Sequence, residues 1–293
     1  MNNLIPDARN PSRRSRYHHA VVGIFRNEAH ALAEWIEHYK VFGFDHIYLI
    51  DNASNDEYAE VIEPYLTRGY VSLFHCHRDG YQIGAYTELL PQIRAESEWI
   101  GAFDLDEFIY PTVDSNISAI TERYKDQESV LIPWLSFGSN GHVQQPLSIV
   151  NGFTRRGLAH NSRSFLKAIT RPAAIEYFSQ HNPTTSNGRK VLANGQPFGN
   201  EAFIHLPESN VSQFQLLNNH YRLQSREYFQ NVKTQRPEVH EDVVNNTKHI
   251  SFFQQYDQKW NTVIDTQLRD RHQVLCCFEP RPEAPHFQIA QIG

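Results

Sequence analysis

Trp99-Ile100-Gly101-Ala102-Phe103-Asp104-Leu105-Asp106-Glu107-Phe108-Ile109-Tyr110-Pro111 sets an acidic tetrad between two apolar runs. The run from Trp99 to Phe103 has the length and residue types of a buried strand. Carboxylates at the end of such a strand are costly unless a cation is held with them. Two aspartates separated by one residue can project toward a single ion where the chain turns out of the strand, which reads as a metal-diphosphate site. A solvated turn is the other reading of an isolated Asp-X-Asp. In an alternating α/β sheet ligands bind beyond the carboxyl ends of the strands, the edge to which this run delivers Asp104 and Asp106.

Upstream, the same alternation is written three more times. His19 to Phe25 suits a buried strand, and Glu28 to Phe42 places Leu32, Trp35, Ile36, Tyr39 and Phe42 at helical spacing, with Gly43 as the stop. His46 to Ile50 is a second strand, ending in Asp51-Asn52-Ala53-Ser54-Asn55-Asp56, where Asp56 can cap a helix carrying Ala59, Ile62 and Leu66. Tyr70 to Phe74 reads as a third strand and Gly84 to Ala95 as a third helix. The βαβαβαβ order implies a mainly parallel sheet with helices on both faces. The first strand runs into Phe25-Arg26-Asn27-Glu28 and not into a glycine-rich phosphate loop, against a classical dinucleotide or ATP site.

The chain has 293 residues, 40% of them hydrophobic, enough for a sizeable core. With no run of about 18 apolar residues and no cleavable leader, neither a membrane span nor secretion is expected, and the cytoplasm is. Cys76, Cys276 and Cys277 form no disulfide framework and no zinc pattern. A net charge of −6 argues against general nucleic-acid binding. Arg9, Arg13, Arg14 and Arg16 make residues 1–17 a basic leader, expected to be disordered, with contact at the inner membrane face as the alternative. Residues 18–235 are expected to form the catalytic domain and 236–293 a C-terminal segment packed on it. In that segment a helix is expected from Phe252 to Asp270, and an extended tail from Pro280 to Pro285.

At this point the residues carry a resemblance. Arg26-Asn27-Glu28, Glu34-Trp35-Ile36-Glu37-His38-Tyr39, Gly43-Phe44-Asp45-His46, Asp51 to Asp56 and Asp104-Leu105-Asp106-Glu107-Phe108 follow one another in order. Together they resemble nucleotide-sugar glycosyltransferases of the GT-A fold, near family 2 and especially family 92. Trp134 to His142, Lys167 to Pro172, His181, His220-Tyr221, Ser225 to Phe229 and Lys233 continue the series, so the likeness covers about residues 19 to 235.

The resemblance implies a UDP-sugar donor, Mn²⁺ or Mg²⁺, and transfer with inversion to a hydroxyl of a glycan, lipid-linked or protein acceptor. It implies that Asp104 and Asp106 hold the metal with His220, His181 being the rival ligand, and that Glu107 orients them. Asp51 would accept from the uracil N–H, its alternative being a simple turn residue. Arg26, Asn27, Glu28, Asp79 and Gln82 would line the nucleotide. Lys167, Arg189 and Lys190 would meet the diphosphate, the last two from a lid over Thr184 to Gly188. Trp134, Phe137, His142 and His181 would face the acceptor, although Trp134 fits a core position equally well. Glu201, or else Asp242 or Glu241, would be the general base. Two other readings stay open: a metal-dependent phosphohydrolase or nucleotidyltransferase, which also uses close aspartates, and a non-catalytic sugar-binding relative.

Overall fold

The computed structural model describes residues 3–10, 17–159, 164–201, 203–235 and 249–275. Strands β1 (Ile5–Pro6) and β2 (Tyr17–Phe25) lead to helix α1 (Ala29–Val41), then β3 (His46–Asp51), α2 (Tyr58–Thr67), β4 (Val71–His75), α3 (Gln82–Glu96) and β5 (Ser97–Ala102). β2 pairs in parallel with β3 and β5, and β3 with β4. This is the α/β half expected from the sequence.

Alternating side chains divide between two helical layers. Val21, Ile47, Leu49 and Leu73 pack with Leu32, Trp35 and Ile36 of α1 and with Val61, Ile62 and Leu66 of α2. Ala20, Val22, Tyr48, Ile50 and Phe74 pack on the other face with Ala85, Tyr86, Leu89 and Ile93 of α3. Strands covered on both faces are mostly apolar, as these are, and the buried His46 and Ser72 satisfy each other at 3.0 Å between β3 and β4. α1 ends at Gly43, whose φ of 89° suits a residue without a Cβ. Asp56 caps the start of α1, its Oδ2 accepting from Ala29 N at 2.8 Å.

The chain continues through β6 (Glu107–Pro111), α4 (Ile117–Arg123), β7 (Ser129–Ser136), α5 (Ile149–Gly152), β8 (Arg155–Arg156), β9 (Ser164–Thr170), β10 (Ile175–Tyr177), β11 (Thr184–Thr185), β12 (Lys190–Leu192), β13 (Pro197–Phe198) and β14 (Phe203–Ile204). It closes with β15 (Leu216–His220), α6 (Arg226–Asn231), α7 (Ile250–Lys259), β16 (Val263–Ile264) and α8 (Gln267–Leu275). The central sheet, mostly parallel through its core, runs β1-β4-β3-β2-β5-β9-β7-β12-β13, with β9 antiparallel between β5 and β7. β15 lies parallel to the end of β7 and antiparallel to β6, so His220 is set opposite both Glu107 and Ser136.

Two segments depart from expectation. The leader is ordered over residues 3–10, where Ile5 and Pro6 add an antiparallel edge to β4 and Arg9 pairs with Asp7 at 2.8 Å and Glu63 at 2.5 Å. Arg13, Arg14 and Arg16 lie outside the described residues. The single helix expected from Phe252 to Asp270 is two helices split by β16. Trp260 O accepts from Gly138 N at 2.9 Å, Thr262 N donates to Arg156 O at 3.1 Å, and the β-branched Val263 and Ile264 pair with β8. Cys276, Cys277 and the Pro280–Pro285 tail lie outside the described residues. No helix among the described residues is long and apolar enough to cross a membrane.

Candidate active site

The acidic tetrad forms a tight turn between β5 and β6, and α1 fixes its backbone. Glu107 N donates to Asp104 O at 3.0 Å, and the Trp35 indole N–H reaches both Asp104 O (3.0 Å) and Glu107 O (3.1 Å). Tyr39 OH also donates to Glu107 O, at 3.0 Å. Gly23 makes that approach possible, because a Cβ there would stand 3.0 Å from Phe103 O and 3.1 Å from the Trp35 ring.

Two lysines meet the three carboxylates. Lys167, from the middle of β9, is wholly buried and donates to Asp104 Oδ2 (3.1 Å), Glu107 Oε2 (2.9 Å) and Ala102 O (3.3 Å). Burial opposes its charge, but Asp104 and Glu107 more than offset that and hold the ammonium protonated. Gln82 donates to Asp104 Oδ1 at 2.9 Å and to Tyr86 OH at 3.1 Å. Asp104 keeps 36% of its side chain open to solvent. Asp106 is buried, with Lys233 Nζ 2.5 Å from Oδ2 and His220 Nε2 3.4 Å from Oδ1. Burial pushes the Asp106 carboxyl up, but Lys233 and His220 bring it well below the usual carboxylate range. Burial raises Glu107 against the pull of Lys167, and among the described residues its Oε1 has no hydrogen-bond partner.

Beside this turn stands an aromatic wall. Trp134, at the end of β7, meets the His220 ring edge-on at 4.3 Å, with Phe165 and His181 each 5.4 Å from it. Among the described residues its indole N–H has no hydrogen-bond partner. His181 Nδ1–H donates to Leu166 O at 3.2 Å, and burial, with the Lys167 charge, lowers its pKa to about 4, so the ring stays neutral. Asn182 donates to Glu201 O at 2.9 Å and accepts from Lys190 Nζ at 2.8 Å, so the exposed Glu201 belongs with Lys190.

Arg26 pairs with the exposed Asp79 at 2.6 Å. Its neighbours are spent on the scaffold. Asn27, at φ 55°, donates through its N–H to Ser54 Oγ and accepts from Asn55 N, and the buried Glu28 accepts from Tyr228 OH at 3.1 Å. Asp51 is also buried, its oxygens taken by Ser54 N (2.8 Å), Tyr58 OH (3.1 Å) and His75 Nδ1 (3.3 Å). That is the turn-residue alternative and not a free acceptor for a base.

Four further expectations are corrected by position. Lys190 is buried and tied to Asn182 Oδ1, Pro183 O and Asn200 Oδ1, opposite Ser129 at the start of β7, so its ammonium is not offered to a diphosphate. Arg189 lies 3.8 Å from Glu128, whose carboxylate also holds Ser186 and Asn187, which anchors the supposed lid. Phe137 is core, 4.8 Å from the Tyr221 ring. His142 is a turn residue whose Nε2 donates to Gly152 O at 3.0 Å. Asp242 and Glu241 lie outside the described residues. Lys233, part of the resemblance but without a role implied by it, meets Asp106 from the turn after α6, a contact made only once β15 sets His220 opposite Glu107.

A family model for glycosyltransferase family 92 matches residues 19–259. The chain belongs to that family. Among curated relatives, a family 92 protein of Oryza sativa subsp. japonica is 27% identical over 226 residues, covering 74% of this chain and 35% of its own. Galactan β-1,4-galactosyltransferase GALS2 of Arabidopsis thaliana is 27% identical over 143 residues, covering 44% of this chain and 28% of its own. This family 92 chain thus spans about a third of the length of the curated relatives it matches. Among solved structures, S. aureus TarS residues 1–349 in complex with UDP is similar at 16% identity and a TM-score of 0.41, over 64% of this chain and 59% of that one.

The residues at the turn can be tested against the divalent cation that the acidic motif suggests. Among the described residues no group of three His, Cys, Asp or Glu side chains could hold a metal on its own. The adjoining donors are Asp106 and His220, with Asp104 two residues away and partly open. Sites that hold a cation with one or two carboxylates and complete its shell from substrate phosphates and water need no more than this. An ammonium already sits on Asp106, so the position demands positive charge. The donor chemistry fits.

Proposed function

We propose that this family 92 chain transfers a sugar from a nucleotide donor, a UDP-sugar, to a hydroxyl of a glycan, lipid-linked or protein acceptor, with inversion. The observation that carries the reading is the turn itself: in a family 92 chain, Asp104 and Asp106 stand at the carboxyl edge of the sheet between Lys167, Lys233 and His220. Mn²⁺ or Mg²⁺, held by Asp106, His220 and Asp104, would supply Lewis-acid stabilisation of charge on the departing nucleoside diphosphate.

The chain's own residues do the positioning. Lys167 and Gln82 hold Asp104 ionised and aimed, and Trp35 and Tyr39 keep the turn rigid, so little reorganisation is left for the moment of transfer. Arg26 and Asp79 flank the nucleotide side. Trp134 and His181 offer a neutral aromatic face to a sugar ring, and Glu201 is proposed as the base that takes the proton of the attacking hydroxyl. The unit that does this is proposed to be residues 18–235 with the segment 236–293 packed on it, in the cytoplasm, with contact at the inner membrane face as the alternative.

Calorimetric titration of UDP with and without Mn²⁺ tests the reading. Binding that requires the metal and is lost in Asp106→Asn supports it. Failure of UDP to bind under any metal condition overturns the UDP donor.

A further inference from the structure

The two lysines at the turn are held in different ways. Lys167 is fixed along β9, has no solvent exposure and divides its three donors among three oxygens. Lys233 follows α6 in the short turn Lys233–Gln235, keeps 17% of its side chain exposed, and among the described residues has Asp106 as its only hydrogen-bond partner. An ammonium has three donors, so two of those on Lys233 are uncommitted. It sits on Oδ2 of the carboxylate whose other oxygen faces His220.

We propose that Lys233 is an exchangeable counter-cation: it neutralises Asp106 while no divalent cation is bound, leaves when one arrives, and then meets the diphosphate of the donor. The inference rests on the nucleotide-sugar reading. A buried carboxylate without a cation is costly, so an empty metal position beside Asp106 would destabilise the turn between catalytic cycles. The lysine removes that cost, and a divalent ion competes with it for the same oxygen. Once free, its ammonium is a mobile positive charge at the mouth of the site, suited to phosphate oxygens. Lys167 takes no part in the exchange, because its side chain has no path to solvent.

The test is done first on the native chain, so that it does not depend on a variant folding. Lysine acylation by a small activated ester, mapped by peptide mass spectrometry, is compared in chelator, in Mn²⁺, and in Mn²⁺ with UDP. Lys233 is expected to label slowly in chelator, several-fold faster with Mn²⁺, and slowly again when UDP is added, while Lys167 stays unlabelled throughout. Calorimetry of Mn²⁺ alone gives the second readout. If Asp106 is free of its lysine about one-tenth of the time, Lys233→Met should bind Mn²⁺ about tenfold more tightly than the native chain. Mn²⁺ binding with unchanged Lys233 labelling and no gain in affinity would sink the exchange and leave the metal reading standing. If Mn²⁺ binds neither protein, with or without UDP, the metal reading fails and the exchange with it.

Discussion

Replacing Lys167 by methionine is the sharpest probe of how the turn is built. The side chain keeps its length and apolar stem but loses the ammonium that lies 2.9 Å from Glu107 Oε2 and 3.1 Å from Asp104 Oδ2. Glu107 is wholly buried, and among the described residues the loss of the lysine leaves it with only the backbone N–H of Asp104, 3.0 Å from Oε2. Breaking a buried ion pair from one side costs about 3–5 kcal/mol. Asp104 is partly exposed and can turn to solvent, so the loss should come mainly through Glu107 and fall at the lower end of that range.

The pH dependence supplies the sign. Burial already raises the Glu107 pKa against the pull of Lys167, and without the lysine it rises further. A carboxyl whose folded pKa lies above its unfolded one binds its proton more tightly when folded, so its destabilising effect grows as pH rises and fades as pH falls. Urea unfolding of native and Lys167→Met chains near neutral pH and again near pH 5 is the assay. The deficit should be about 3 kcal/mol near neutrality and clearly smaller in acid. A deficit under about 1 kcal/mol, or one that grows on acidification, would refute the view that Lys167 compensates a buried carboxylate.

Gly23→Ala puts a methyl group 3.0 Å from Phe103 O and 3.1 Å from Trp35, and should cost about 1–3 kcal/mol in thermal or urea unfolding while loosening the acidic turn. Glu34→Ala leaves Ile149 N and Val150 N without their buried acceptor and should cost at least about 2 kcal/mol, with UDP affinity unchanged by calorimetry. His38 and His272 share a hydrogen bond at 2.8 Å, and His38 Nε2–H donates to Ile109 O at 2.8 Å, so His38 Nδ1 is the acceptor and both rings are neutral. Burial holds His38 well below the usual imidazole value and His272 at about 4. Their contribution is present above about pH 6.5 and lost as pH falls toward 4, and His272→Gln should flatten that part of the stability profile.

The α/β half was legible because each of its elements is decided locally. Buried strands require apolar runs, α1 shows its inner stripe at Leu32, Trp35, Ile36 and Tyr39, and Gly43 marks its end. The acidic turn was legible for the same reason, since Asp104 and Asp106 are two residues apart on one strand exit. Residues joined only by the sheet were not. Asp51 and Asp104 both close a parallel strand, yet Asp51 is absorbed by Ser54, Tyr58 and His75 while Asp104 stays open, and nothing in the local sequence separates the two cases. Lys190 reads as a phosphate ligand from its neighbours Gly188 and Arg189, but β12 places it beside Ser129, at the far end of β7 from Trp134. The register of one short strand decides that.

Charge at the turn gives a reason for having one fixed and one releasable lysine. Asp104, Asp106 and Glu107 carry three negative charges against the two positive charges of Lys167 and Lys233, with His220 beside them. A second fixed lysine would serve stability equally well, but it would keep Asp106 closed to any other cation. A turn with no second lysine would leave the buried Asp106 with His220 alone beside it, a poorer match for its charge. In the proposed exchange, a divalent ion in place of the ammonium would bring the cluster to neutrality and leave one free positive charge at the mouth for a diphosphate. The placement of Lys233 after a helix with 17% of its side chain exposed, and of Lys167 wholly buried inside a central strand, matches the two roles proposed for them.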